Sequence, residues 1–187
     1  MAGLANGDAS VGVRLTAAGR DQARTLGRAL AGERIDLCVT TRFGRTVQTA
    51  DIALQEAGLA TPRLLVPELD DITLGGFEGE PIEDFRAWLH EHGPLEPVPG
   101  GGESRGQVIA RYARGFELLH ERPEGVILAV IHGLPIAYAL AGARRDPLPL
   151  TLAGNHVAYA TPYRLSSAEL AAAVRHLRAF AANPVTA

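Results

Sequence analysis

The chain contains no lysine; all 18 of its basic residues are arginine. That argues against Schiff-base chemistry and against a P-loop, whose phosphate clamp needs an ammonium group. Cys38 is the single cysteine, so no internal disulfide forms and no thiolate cluster can hold zinc. It lies in the apolar run I-D-L-C-V and reads as a buried, inert thiol. No apolar run approaches the roughly 20 residues of a membrane-spanning helix. The opening M-A-G-L-A-N-G-D-A-S lacks a basic segment followed by an apolar one, so no secretory signal is expected and the cytoplasm is the default location. A net charge of -3 gives no general attraction to nucleic acid or anionic lipid. Histidine is missing from the whole stretch before His90.

What is present suits one globular domain over residues 1–187: 47% hydrophobic and 21% charged residues leave enough apolar surface for a substantial core. Residues 1–14 are small and polar and read as loop. Thr16 caps a helix to Ala31, with Ala23, Leu26 and Leu30 at helical spacing. A strand is expected over Ile35–Val39, a helix over Arg45–Ala57 and a strand over Leu64–Val66. A looser region, 70–102, holds a helix at Ile82–His90 and the stretch G-P-L-E-P-V-P-G-G-G; it reads as an insertion over one end of the sheet. Ser104 with Gln107, and Ser166 with Glu169, have capping-box spacing and open two more helices. Val126–Ile131 is a continuous apolar run, the pattern of a strand covered on both faces. A helix over Leu134–Gly142 and a last strand over His156–Tyr163 complete the pattern. Strands alternating with helices predict an α/β fold, a three-layer α/β/α sandwich around a mainly parallel sheet.

In such sheets, ligands bind beyond the carboxyl ends of the strands. Two segments meet that condition. His132 is the first polar side chain after the 126–131 strand, and Gly133 turns the chain into a helix whose amino end favours anions. Arg45 opens the helix after the first strand, where a guanidinium can grip two phosphate oxygens; Arg42 is a rival for that role. Asp71 lies in a loop with Glu68, Asp70 and Glu78, and a carboxyl crowded by others holds its proton more tightly, as a proton donor must. Taken singly, each residue also has a bland reading: core histidine, solvated arginine, acidic loop. His90 and His92 form an H-E-H triplet without a convincing third metal ligand. His120 and His176 read as solvent-facing, and His156 as a residue that can line a pocket.

Together the segments resemble the histidine phosphatase superfamily, which includes cofactor-dependent phosphoglycerate mutases and many small phosphatases. L-T-A-A-G-R-D-Q-A-R-T-L is similar to the family's L-T-x-x-G-x-x-Q-A-x-x-L helix. T-T-R-F-G-R-T-V-Q-T-A is similar to S-S-P-L-x-R-A-x-Q-T-A, which implies a phosphate-gripping role for Arg45. L-D-D-I-T-L-G-G-F-E-G is similar to L-x-E-x-x-x-G-x-x-E-G, which implies that Asp71 is the proton donor. P-G-G-G-E-S and V-I-H-G follow in the family's order, with His132 as the second, phosphate-binding histidine. The implied chemistry is hydrolysis of a small phosphorylated metabolite through a phosphohistidine, with no metal or other cofactor.

Two departures accompany the resemblance. The donor is aspartate where many members have glutamate. The family also begins with a strand ending in R-H-G or R-H-A, whose histidine is the nucleophile, and nothing in this sequence matches it. The expectation is a phosphoglycerate mutase-like sandwich lacking that first strand, as a start site placed too late would produce; Met1 is the only methionine. The alternative is an inactive relative that binds phosphorylated ligands or a protein partner. An unrelated α/β domain is the third option.

Overall fold

Thr16 starts the first helix as its spacing predicts: its hydroxyl accepts from the Gly19 N–H and caps α1 (Ala17–Ala29). The structure, a computed structural model, describes residues 4–93, 95–149 and 157–183. β1 (Leu37–Thr40) follows, then α2 (Gly44–Ala57), β2 (Arg63–Leu65), α3 (Ile82–Glu91), α4 (Arg105–His120), β3 (Ile127–Val130), α5 (Gly133–Arg144) and α6 (Ser167–Ala182). Short 3-10 turns at Pro67–Leu69 and Gly75–Phe77 shape the chain between β2 and α3.

The three strands are parallel, in the order β2-β1-β3. Side chains on β1 alternate between two cores, as the pleat requires. Leu37 and Val39 join Val108, Leu134, Tyr138, Val174 and Leu177 from α4, α5 and α6. Cys38 points the other way, toward Ala50 and Leu54 of α2. The layers are therefore α1 and α2, the sheet, and then α4 to α6. Burial pushes the Cys38 thiol pKa up, the inert state its apolar surroundings predict.

Close helix contacts rest on small residues. A Cβ on Gly27 of α1 would stand 2.5 Å from the Ala53 carbonyl oxygen and 2.5 Å from Glu56 Cβ of α2. Both predicted capping boxes form, Ser104 with Gln107 and Ser166 with Glu169.

β3 is covered on both faces, as its apolar run predicts: Ile127 and Ala129 pack against the core of α4 to α6, and Leu128 and Val130 against Ala50 and Leu54 of α2. Ile127, Leu128 and Ala129 stay partly exposed because β3 pairs with β1 alone among the described residues. One expectation needs correction. The predicted last strand is absent from residues 157–163, where Ala160 takes a left-handed turn at φ 48° that breaks an extended run; His156 lies outside the described residues.

Candidate active site

Parallel strands bring their carboxyl ends to one edge of the sheet, and each delivers one residue to a common cluster. β1 runs through Thr41 and Phe43 into α2, whose second residue is Arg45. β2 leads through the Pro67–Leu69 turn to Asp71. β3 leads to His132, the N-cap of α5.

Arg45 Nη2 donates to Asp71 Oδ2 at 2.9 Å and to His132 Nδ1 at 3.2 Å. His132 Nδ1 and Asp71 Oδ2 are 3.4 Å apart. Arg45, Asp71 and His132, predicted from three distant motifs, thus meet within the span of one phosphoryl group. Arg42 does not join them: its main-chain N–H and its Nε both donate to Asp70, and its side chain is 60% exposed.

The imidazole is sunk and the other two groups reach solvent, at 4% side-chain exposure for His132 against 25% for Arg45 and 26% for Asp71. Burial lowers the His132 pKa to about 4; the Asp71 carboxylate pulls it up and the Arg45 guanidinium pushes it down. The ring is therefore neutral at pH 7, and its partners fix the tautomer. Nδ1 accepts from Arg45, so Nε2 carries the proton and donates to Thr41 Oγ at 3.0 Å. Thr41 in turn donates a hydrogen bond to Thr46 Oγ at 2.9 Å, and Thr46 donates to the Phe43 carbonyl. Phe43 closes the back of the site, edge-on to His132 at 4.6 Å and with the Arg45 guanidinium 4.2 Å over its ring.

Gly133 is the first residue of α5, and no side chain caps that helix end. With Pro135 lacking an N–H, the main-chain donors left there belong to Gly133 and Leu134. They lie directly beside His132.

Two of the carboxylates expected to crowd Asp71 are engaged elsewhere. Glu78 accepts from the Gly7 and Leu74 N–H groups, and Asp70 is taken by Arg42. Asp71 instead accepts from Arg45 and, through Oδ1, from the Ile72 N–H at 3.1 Å. Its loop is held from behind by Arg111 of α4, which donates to the carbonyls of Glu68, Asp70 and Asp71 and pairs with Glu103.

Three contributors went unread in the sequence. Asn6 accepts from Arg45 through both its side-chain and main-chain oxygens, but one asparagine in a polar opening loop carries no signal. Thr41 lies inside a matched motif, but a hydroxyl at a strand end is common and carries no signal by itself. Arg111 looks like any helical arginine until the loop it grips is in place. Of the remaining histidines, His92 stacks on Trp88 at 4.2 Å and bonds the Trp88 carbonyl, and His120 is exposed beside Ser167. His176 is half-buried, not fully solvent-facing as expected. Among the described residues no three His, Cys, Asp or Glu side chains are grouped to hold a metal ion.

Comparison with known proteins bears on this geometry. The profile of the histidine phosphatase superfamily (branch 1) matches residues 6–177. A probable phosphoglycerate mutase, GpmB, of Photorhabdus laumondii is 29% identical over 131 residues, 65% of this chain and 59% of that protein. The chain therefore spans about three fifths of the length of this curated relative. Among solved structures, YhfR of Bacillus stearothermophilus superposes with a TM-score of 0.62 at 28% identity, covering 72% of this chain and 69% of its own. A putative alpha-ribazole-5'-P phosphatase from Escherichia coli superposes with a TM-score of 0.63 at 26% identity, covering 79% and 73%.

Proposed function

The chain belongs to the histidine phosphatase superfamily, and from that membership we propose that it acts on a small phosphorylated metabolite as a phosphomonoester hydrolase working through a phosphohistidine. The observation that carries this reading is the meeting of Arg45, Asp71 and His132 at separations of 2.9, 3.2 and 3.4 Å. In this structure Arg45 is paired with Asp71. An entering phosphoryl group draws the guanidinium onto its own oxygens, and Asp71 is released to carry a proton. The same dianion beside Nδ1 supplies the counter-charge that buried His132 lacks, so the imidazole takes up a proton and donates to the phosphoryl oxygen. The N–H groups of Gly133 and Leu134 complete the cradle. A nucleophilic imidazole nitrogen then bonds phosphorus as the ester P–O bond breaks. Asp71 gives its proton to the leaving oxygen, and water later displaces the P–N bond.

The nucleophile is not among these residues. No histidine precedes His90, and the His132 ring is anchored through Thr41. This reading takes the attacking imidazole from an R-H-bearing strand of the family's kind, beside β3, which pairs with β1 alone among the described residues. The segment 70–102 forms the pocket wall and sets the substrate. Hydrolysis is favoured over mutase action because a mutase must retain its released product, which calls for extra basic residues around the site, and this chain has no lysine. The missing nucleophile also favours a second reading, in which the same pocket binds phosphorylated ligands without turnover.

Calorimetry with inorganic phosphate and an aryl phosphate assay test both. Saturable phosphate binding is expected, weakened about 10–100-fold in R45Q, as loss of a charge-assisted hydrogen bond implies. Turnover is expected only when an R-H-bearing strand is joined upstream, and its acid-labile phosphoenzyme is the mark of the hydrolase. Binding without turnover in that extended chain leaves the second reading. No saturable binding, or R45Q binding as tightly as the parent, overturns the phosphate site itself.

A further inference from the structure

Tyr112 of α4 is fully buried, with 0% of its surface exposed. Its hydroxyl has no hydrogen-bond partner among the described residues. A phenylalanine would fill the same space without stranding a polar group, so the hydroxyl is a cost that packing does not explain. The neighbouring tyrosine does not relieve it. The Tyr138 ring stands 6.0 Å away between centroids, and the Tyr138 hydroxyl is bonded to Arg105 Nη1 at 3.0 Å.

The surroundings of the stranded hydroxyl are those of the acid loop. The Arg111 guanidinium lies 4.9 Å over the Tyr112 ring and also donates to the Asp71 carbonyl at 3.0 Å. Ring and loop are thus joined through one side chain. Burial, and after it the Asp71 carboxylate, push the phenol pKa well above its ordinary value, so the hydroxyl keeps its proton and remains a donor. Of the charged groups around it, Asp71 acts on the phenol most strongly, ahead of Arg111 and Glu103. Asp71 is meanwhile held by others: Oδ2 accepts from Arg45 at 2.9 Å and Oδ1 from the Ile72 N–H at 3.1 Å. A spare donor therefore lies beside a carboxylate whose present partner is also the residue that grips phosphate in the reading above.

We propose that Tyr112 is a positioning residue for Asp71: its hydroxyl donates to the Asp71 carboxyl once a phosphoryl group has drawn Arg45 away. The inference rests on the phosphoryl reading of the site and adds a partner to it. A guanidinium is exchanged for a neutral phenol, so the carboxyl keeps a fixed orientation while it loses the charge that favoured its ionised form. With Tyr112 and the Ile72 N–H on one oxygen, the proton sits on the other, toward the leaving group. When that proton passes to the ester oxygen, the carboxylate left behind keeps both donors. A contact made only in the liganded state adds to the affinity for the ligand.

The test compares stability with binding. Y112F should raise the unfolding temperature by about 2–6 °C, because it removes a stranded hydroxyl. It should also weaken inorganic phosphate by about 3–10-fold in calorimetry. A purely structural role cannot give a variant that is firmer yet binds less well. A second comparison needs no ligand. R45M leaves Asp71 without its guanidinium, so Tyr112 should already donate to it, and adding Y112F should then lower the unfolding temperature. In protein carrying carbon-13 at tyrosine Cζ, the resonance missing from Y112F should move in R45M and, in the parent, on addition of phosphate. Equal phosphate affinity in parent and Y112F overturns the proposal, and so do temperature shifts of the same sign in the parent and R45M backgrounds. A parent that binds no phosphate, with the sign reversal in R45M intact, overturns the phosphoryl reading instead and leaves Tyr112 as the reserve partner of Asp71.

Discussion

His132 shows how far burial alone can change a side chain. Its pKa in the folded chain is about 4 against an ordinary 6.5, with burial as the leading cause. The depressed value means that the unfolded chain takes a proton first as the pH falls. Stability is therefore intact above about 6.5 and lost progressively between there and about 4. The full loss is on the order of 3 kcal/mol at about 1.4 kcal/mol per pH unit. Urea unfolding at pH 7 and pH 4.5 should show it in the parent and a much smaller loss in H132Q. Equal losses in the two proteins would mean that another group governs acid stability. Phosphate should oppose the effect, since it gives the charged ring a partner.

Helices here are set as much by what they touch as by their own propensity. Gly27 lies inside α1, where helix propensity alone favours alanine by up to about 1 kcal/mol. The facing turn of α2 decides otherwise, because a methyl there would lie 2.5 Å from the Ala53 carbonyl oxygen. G27A is expected to destabilise by about 1–3 kcal/mol as overpacking pushes α1 off α2. A lower urea midpoint checks this, and a gain would show that α1 can slide. The capping boxes were legible because their partners are three residues apart and need nothing else. The half-exposed β3 was not, because a continuous apolar run says that a strand is wanted inside without saying whether a neighbour stands on each side of it.

Across the whole molecule, Arg111 is the tie between the acid loop and the helical layer. Its side chain is 17% exposed and that of Glu103 22%, and it holds three carbonyls that no secondary structure satisfies. Removing it as R111M leaves those carbonyls without their donor and Glu103 with only the Thr73 N–H, at a cost of about 3 kcal/mol. The loss should be smaller when E103Q is already present, by the share that the ion pair carries. A double-mutant cycle read by urea unfolding checks this coupling, and additive losses would refute it.

The order of helices and strands as far as α5, the caps, the buried thiol and the three motif residues were specified by neighbours close in sequence. That Arg45 and not Arg42 joins Asp71 and His132, that Asp70 and Glu78 pair elsewhere, and which tautomer His132 takes were decided only by tertiary structure. Each depends on groups such as Asp70, Thr41 and Arg111 that lie 28 or more residues from the group they act on, brought near only once the layers have packed. Local pattern determines which elements form. Burial and Coulomb interaction act through space, and they determine what the side chains at the strand ends can do.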